Sequence, residues 1–139
     1  MNFKSAERLQ VYYVYERSGL RDFLREVALL FDVWVFTAAT KEYADAILEK
    51  LDPEGSIFSK RLYRQNCVTD ESGKLVKDLT VVAGDELAQA VLVDDDPDNV
   101  EHNWYNSIQI RKFGPDLGAD TELSRVFETL KELAEVDNI

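Results

Sequence analysis

Few of the side chains that build common metalloenzyme and triad sites occur here. The 139 residues include one cysteine, Cys67, and one histidine, His102. A lone cysteine excludes an internal disulfide framework and points to a reducing compartment. A lone histidine excludes a histidine-rich metal centre. Basic residues are also in deficit: 16 Lys and Arg against 27 Asp and Glu give a net charge of −11. That balance argues against nucleic acid, whose affinity comes mostly from neutralised phosphates, and against an anionic membrane surface. Long hydrophobic runs are missing as well. The longest, Val27 to Thr40, is broken by Asp32 and is too short to span a bilayer. The first ten residues (MNFKSAERLQ) carry no apolar block of a secretory signal. These absences predict an intracellular protein, in nucleus or cytoplasm.

Disorder is excluded by what is present. Hydrophobic residues make up 45% and aromatics 11%, enough for the core of one domain spanning 1–139. Gln10 to Glu16 (QVYYVYE) reads as a strand, with Ser18 a candidate cap for the helix that follows. Phe23, Leu24, Val27 and Leu30 recur at helical spacing. Asp32 to Phe36 has no alternation, which predicts a strand covered on both faces. Thr40 can cap a second helix carrying Tyr43, Ala44, Ile47, Leu48 and Leu51, and Asp52-Pro53 stops it. Ala90 to Val93 and Ser107 to Ile110 read as further strands. Thr121 to Ala134 closes the chain as an amphipathic helix. Short buried strands alternating with such helices predict an α/β fold, a parallel sheet with helices on both faces.

Ligands of these folds bind beyond the carboxyl ends of the strands. Two strand ends carry chemistry there. One delivers Thr37-Ala38-Ala39-Thr40, where a hydroxyl and backbone N–H groups can hold an anion or simply cap a helix. The other delivers Asp94, Asp95 and Asp96. Adjacent carboxylates repel, and a hard divalent cation such as Mg²⁺ relieves that repulsion. A solvated loop is the alternative. Seven acids and no Lys or Arg lie between Asp85 and Glu101, so no sequence neighbour neutralises them. Lys77 sits in an apolar setting (LVKDL). Phe58 to Thr80, which contains Arg64, holds five basic residues against three acidic ones, a fit for an anionic substrate. Cys67 and His102 read as structural.

The order strand-Thr, lone Lys, strand-Asp-Asp is similar to that of the haloacid dehalogenase superfamily. Arg17 to Leu24 (RSGLRDFL), Val35 to Asp45 (VFTAATKEYAD), Leu51-Asp-Pro53, Leu62 to Val68 (LYRQNCV), Val76 to Leu79 (VKDL) and Val91 to Pro97 (VLVDDDP) narrow the resemblance. They look like the FCP/SCP phosphatases, the NLI-interacting-factor-like enzymes that act on the C-terminal domain of RNA polymerase II. The likeness runs from about Gln10 to the end. It implies a three-layer α/β/α sandwich with a mostly parallel central sheet. It also implies Mg²⁺-dependent removal of phosphate from phosphoserine or phosphothreonine of a protein substrate, through an aspartyl-phosphate. By this resemblance Thr37 is the phosphate-binding hydroxyl and Lys77 the lysine that steadies nucleophile and phosphoryl oxygens. Arg64 lines the substrate groove, and Asp94 and Asp95 bind the metal. Many relatives carry Asp-Asn at that pair and Pro at the position of Ser18.

One departure is large. The family nucleophile motif, Asp-x-Asp-x-Thr, lies upstream of the segment resembling Gln10 to Gly19, and no Asp precedes Asp22. The expectation is a phosphatase body without its nucleophile and general acid, inactive alone. The alternative is a phosphatase-fold binding module without catalysis, like the mitochondrial presequence-import receptor domain. In the superfamily the nucleophile strand lies between those of Val33 to Phe36 and Val91 to Val93. Gln10 to Glu16, a partner chain, or a segment preceding Met1 could fill that place.

Overall fold

The computed structural model describes residues 2–4, 11–13, 16–114 and 120–135. A hairpin opens it, β1 (Asn2–Lys4) pairing antiparallel with β2 (Val11–Tyr13). The remainder of the predicted strand, Gln10 and Val14 to Tyr15, lies outside the described residues. Helix α1 (Leu20–Leu30) follows. Its cap is Gly19 at φ +81°, in place of the expected Ser18. The left-handed turn needs a residue without Cβ, so the glycine sets the boundary.

Next come β3 (Val33–Phe36) and α2 (Lys41–Leu51). Thr40 stands at the N-cap of α2 as predicted, although its side chain makes no capping bond. Strand β4 (Phe58–Leu62) pairs parallel with β3. A small antiparallel hairpin, β5 (Val68–Thr69) and β6 (Leu75–Val76), leads into the short helix α3 (Leu79–Val82). Strand β7 (Leu92–Asp94), helix α4 (Pro97–His102) and strand β8 (Ser107–Gln109) complete a second parallel pair, β7 with β8. Helix α5 (Glu122–Ala134) ends the described chain.

The layers are held by two clusters. Val27 of α1 and Leu123, Val126 and Leu130 of α5 pack with Ile110 against Val33, Val91, Val93 and Ile108. Ala44 and Leu48 of α2 pack with Tyr63 against Val35 and Phe58. At about 25 cal/mol per Å² of apolar surface removed from water, these faces supply most of the folding drive.

One expectation is corrected. Strand β3 is not fully covered: all four of its residues are only half-buried. The physical reason is an open edge. Among the described residues, β3 pairs only with β4 and β7 only with β8. Between the two ladders lies a cavity of about 770 Å³, lined by β3, by Val91 to Val93, and by Leu24, Val27, Leu79 and Leu130. Strand β2 does not occupy this place, since its partner is β1.

Candidate active site

The carboxyl ends of β3 and β7 meet at one lysine. Lys77 leaves the β5–β6 hairpin and donates its Nζ to Asp94 Oδ2 at 2.6 Å, while standing 6.0 Å from the ring centroid of Phe36. The lysine side chain is 15% exposed and the aspartate 4%, so the pair is largely shielded from solvent screening.

Two buried asparagines of the α4 segment fix the lysine backbone. Asn99 Oδ1 accepts from Lys77 N at 2.9 Å, and Asn99 Nδ2 donates to Asp94 Oδ2 at 3.3 Å. Asn103 Oδ1 accepts from Leu79 N at 2.9 Å, and its Nδ2 donates to Lys77 O at 2.7 Å. Buried amides with both ends satisfied hold a loop rigidly. The sequence reading missed both residues. Their i, i+4 spacing puts both on one helix face but does not show what that face meets.

The three aspartates have different surroundings. Asp94 is buried and its Oδ1 accepts from Asp96 N at 2.9 Å. Asp95 is exposed. Asp96 caps α4, accepting from Asp98 N, and pairs with Lys74 at 3.2 Å. The bond from Asp98 N draws the Asp96 carboxyl below the usual carboxylate range, with Lys74 adding to it. The run has no Lys or Arg of its own, as its sequence shows, and is neutralised from outside it. Lys74 and Lys77 arrive from a hairpin about twenty residues upstream in sequence, which local charge counting could not reveal.

Thr37 ends β3. Its N–H donates to Leu62 O at 3.0 Å, and its hydroxyl oxygen accepts from Ala39 N at 3.1 Å. The hydroxyl proton therefore remains available to an incoming oxygen. Arg64 touches the same loop, donating Nε to Ala38 O at 2.8 Å and N to Ala39 O at 3.0 Å. The basic stretch around it is mostly spent on protein partners. Arg61 pairs with Asp45 at 2.9 Å, Lys60 lies 4.5 Å from the ring centroid of Trp34, and Lys74 and Lys77 hold aspartates. Arg64 makes no ion pair among the described residues, so its exposed guanidinium is the one in this stretch that faces solvent near Thr37.

Cys67 lies close enough to feel Lys77, Arg64 and Asp94, although burial is the main influence and pushes its thiol up. A protonated thiol there is a spacer, in keeping with the structural reading. His102 likewise has a structural partner, Asp78, at 3.1 Å.

Asp94 and Asp95 offer the hard oxygen donors that Mg²⁺ takes, in the number common for a cation completed by water and phosphate. No group of three or more His, Cys, Asp or Glu suited to a metal occurs among the described residues. The donor chemistry fits such an ion, with Lys77 already holding one oxygen of Asp94.

Comparison with known proteins decides the lineage. The family model described as NLI interacting factor-like phosphatase matches residues 1–139. The chain belongs to that family. Among these phosphatases it is 34% identical over 122 residues to CTD nuclear envelope phosphatase 1B of Danio rerio, covering 88% of this chain and 49% of that protein. It is also 34% identical over 127 residues to the carboxy-terminal domain RNA polymerase II polypeptide A small phosphatase 2 of Mus musculus, covering 91% and 46%. The structure of Fcp1, an essential RNA polymerase II CTD phosphatase, superposes with a TM-score of 0.69 at 26% identity, covering 96% of this chain and 38% of that one. The chain thus spans about half or less of the relatives it matches. The haloacid-dehalogenase-like α/β architecture expected from the sequence is the one these phosphatases share. No described helix is long and apolar enough to cross a membrane.

Proposed function

We propose that this chain is the phosphate-gripping body of a Mg²⁺-dependent phosphoserine/phosphothreonine protein phosphatase, acting on the RNA polymerase II C-terminal domain or a similar phosphoprotein, in nucleus or cytoplasm. The observation that carries this reading is the Lys77–Asp94 pair, seated beside Phe36 and thus next to Thr37 at one sheet edge. Thr37 donates its hydroxyl to a phosphoryl oxygen. Lys77 places a positive charge where negative charge builds in the transition state, and such electrostatic stabilisation does more for phosphoryl transfer than any other effect. Arg64 binds the phosphopeptide from the rim. Asp94 and Asp95 hold Mg²⁺, which supplies Lewis-acid neutralisation of the phosphoryl oxygens.

The family chemistry also needs an aspartate nucleophile and an aspartate acid–base. In our reading they belong to a strand outside these 139 residues. The nucleophile forms a bond to phosphorus as the serine or threonine C–O–P ester oxygen departs with a proton from the second aspartate. Water, deprotonated by that same aspartate, then releases phosphate.

Hydrolysis of para-nitrophenyl phosphate with Mg²⁺ tests this. The chain alone turns over nothing above background, and adding a strand that carries Asp-x-Asp-x-Thr restores turnover. Phosphate binding without turnover in either case would favour a non-catalytic binding module. Turnover by the chain alone, abolished by Asp94→Ala, would require a nucleophile among these residues.

A further inference from the structure

Two aromatic rings stand in water although their backbone is firmly held. Trp104 is 77% exposed and Tyr105 41%, and the rings meet edge to face with centroids 5.8 Å apart. They project from a single 3-10 turn, Trp104–Asn106. Asn106 Nδ2 donates to Leu87 O at 2.7 Å and to Ala90 O at 2.8 Å. Asn106 N donates to Asn103 O at 3.0 Å, and Ser107 Oγ donates to Val100 O at 3.1 Å. A rigid base under exposed rings lowers the ordering cost of binding. A tryptophan offers about 200 Å² of contact surface, and Trp and Tyr are the side chains that anchor interfaces.

The place is remote from the phosphate edge. Strand β7 ends in Asp94, and β8 runs parallel to it, so α4 returns the chain to the edge where the strands begin. Trp104 and Tyr105 stand there, just before Ser107 opens β8. The charge around them has one sign. From Asp78 to Ile110 the chain has eight carboxylates and no Lys or Arg. Lys77 pairs with Asp94, Lys74 with Asp96 and Asp98, and His102 faces Asp78. Asp95 belongs to the opposite edge with Asp94. That leaves Asp85, Glu86 and Glu101, all exposed and without an ion pair among the described residues. The Asn106 bonds seat the aromatic turn on the Gly84–Gln89 segment that holds Asp85 and Glu86. Glu101 lies three residues before Trp104.

We infer that Trp104 and Tyr105 form a docking site for a short arginine-bearing segment of a partner protein. One guanidinium stacks on the Trp104 ring while neighbouring cations face Asp85, Glu86 and Glu101. A guanidinium is weakly hydrated, and tryptophan is the best aromatic partner for a cation. Acids around the ring attract such a segment from a distance and repel acidic competitors. A second copy of this chain is a poor occupant, since each copy brings a net charge of −11. The inference stands apart from the phosphatase reading, because none of its residues belongs to the Thr37, Lys77 and Asp94 site.

The test is an NMR titration of the whole chain with the peptide Gly-Arg-Gly-Arg-Arg-Gly, read at the indole N–H signals. The two tryptophans serve as probe and control: the Trp104 signal moves to saturation, and the Trp34 signal stays in place. Trp104→Ala, at an exposed position, leaves the urea midpoint unchanged and weakens the peptide about fivefold or more, followed at the Tyr105 amide. Lys in place of each Arg weakens it about two- to fivefold. Glu86→Gln/Glu101→Gln weakens it by a similar factor, as does raising salt from about 0.05 to about 0.5 M. A Trp104 signal that does not move at millimolar peptide overturns the inference. Undiminished affinity in Trp104→Ala overturns it too, since the peptide then answers net charge alone. Equal binding of a peptide with Gln at the Arg positions assigns the rings to an apolar partner. Trp104 signals that broaden with chain concentration alone assign them to a second copy. Either result overturns the inference. Turnover is not read, so failure here leaves the phosphate-site assignment standing.

Discussion

Replacing Asn103 by alanine is expected to disable the site through its support. Asn103 is fully buried, at 0% exposure. Its side chain makes three bonds: from Leu79 N at 2.9 Å, to Lys77 O at 2.7 Å, and to Asn99 O at 2.8 Å. Asn99 O keeps another donor, Asn103 N at 3.1 Å, so the truncation strips partners from two groups, Leu79 N and Lys77 O. A buried polar group left unpaired costs about 1–3 kcal/mol, so the substitution costs about 2–6 kcal/mol. Against a total stability of about 5–15 kcal/mol that is severe. Both groups flank Lys77, and the freed hairpin lets the lysine leave Asp94. Urea denaturation reads the stability change, and tungstate titration of the folded fraction reads the anion site. A loss below about 1 kcal/mol with tungstate affinity intact would refute the claim that Asn103 holds Lys77 in place.

Thr37→Val removes one donor from the phosphate edge and weakens phosphate or tungstate binding about two- to tenfold, the worth of one hydrogen bond, as calorimetry can measure. Calorimetric Mg²⁺ binding is lost in Asp94→Asn/Asp95→Asn, and binding of equal strength in that variant would remove both residues from the metal assignment. Asp52 is buried and accepts from Ser56, Ile57 and Phe58 N–H groups at 2.9–3.0 Å. Burial pushes its carboxyl up, yet the three donors outweigh burial and hold it below the ordinary range. Its contribution is thus full above the unfolded value of about 3.9 and is lost as pH falls through the lower folded value. Acid titration of stability should show that loss in the wild type and a flatter curve in Asp52→Asn.

Much of the frame was legible because burial writes a period into the sequence. Phe23, Leu24 and Val27 placed α1, the unbroken VWVF and VLV runs placed β3 and β7, and Leu123, Val126 and Leu130 placed α5. Strand β4 was missed because FSKRL offers mostly polar residues, and two of its middle positions are exposed. The two-residue strands β5 and β6 are too short for any period to register. In the candidate site, Thr37 and Asp94 stood out by their position at strand ends and Lys77 by its apolar setting. The supporting pair Asn99 and Asn103 was not, since nothing local shows that a helix face will meet a hairpin backbone.

The separation of the parallel strands into two ladders also governs how the molecule comes apart. The ladder under α1 and α5 has the larger buried cluster, centred on Val126, while the α2 side is held by Ala44, Leu48 and Tyr63. With no strand bonding across among the described residues, the halves communicate through Val33 in the first cluster and through the Lys77–Asp94 pair. Such units melt at different free energies, so the α2 half opens first and the transition departs from all-or-none behaviour. A tie across the middle fuses two foldons into one, sharpening the denaturation curve as well as raising its midpoint.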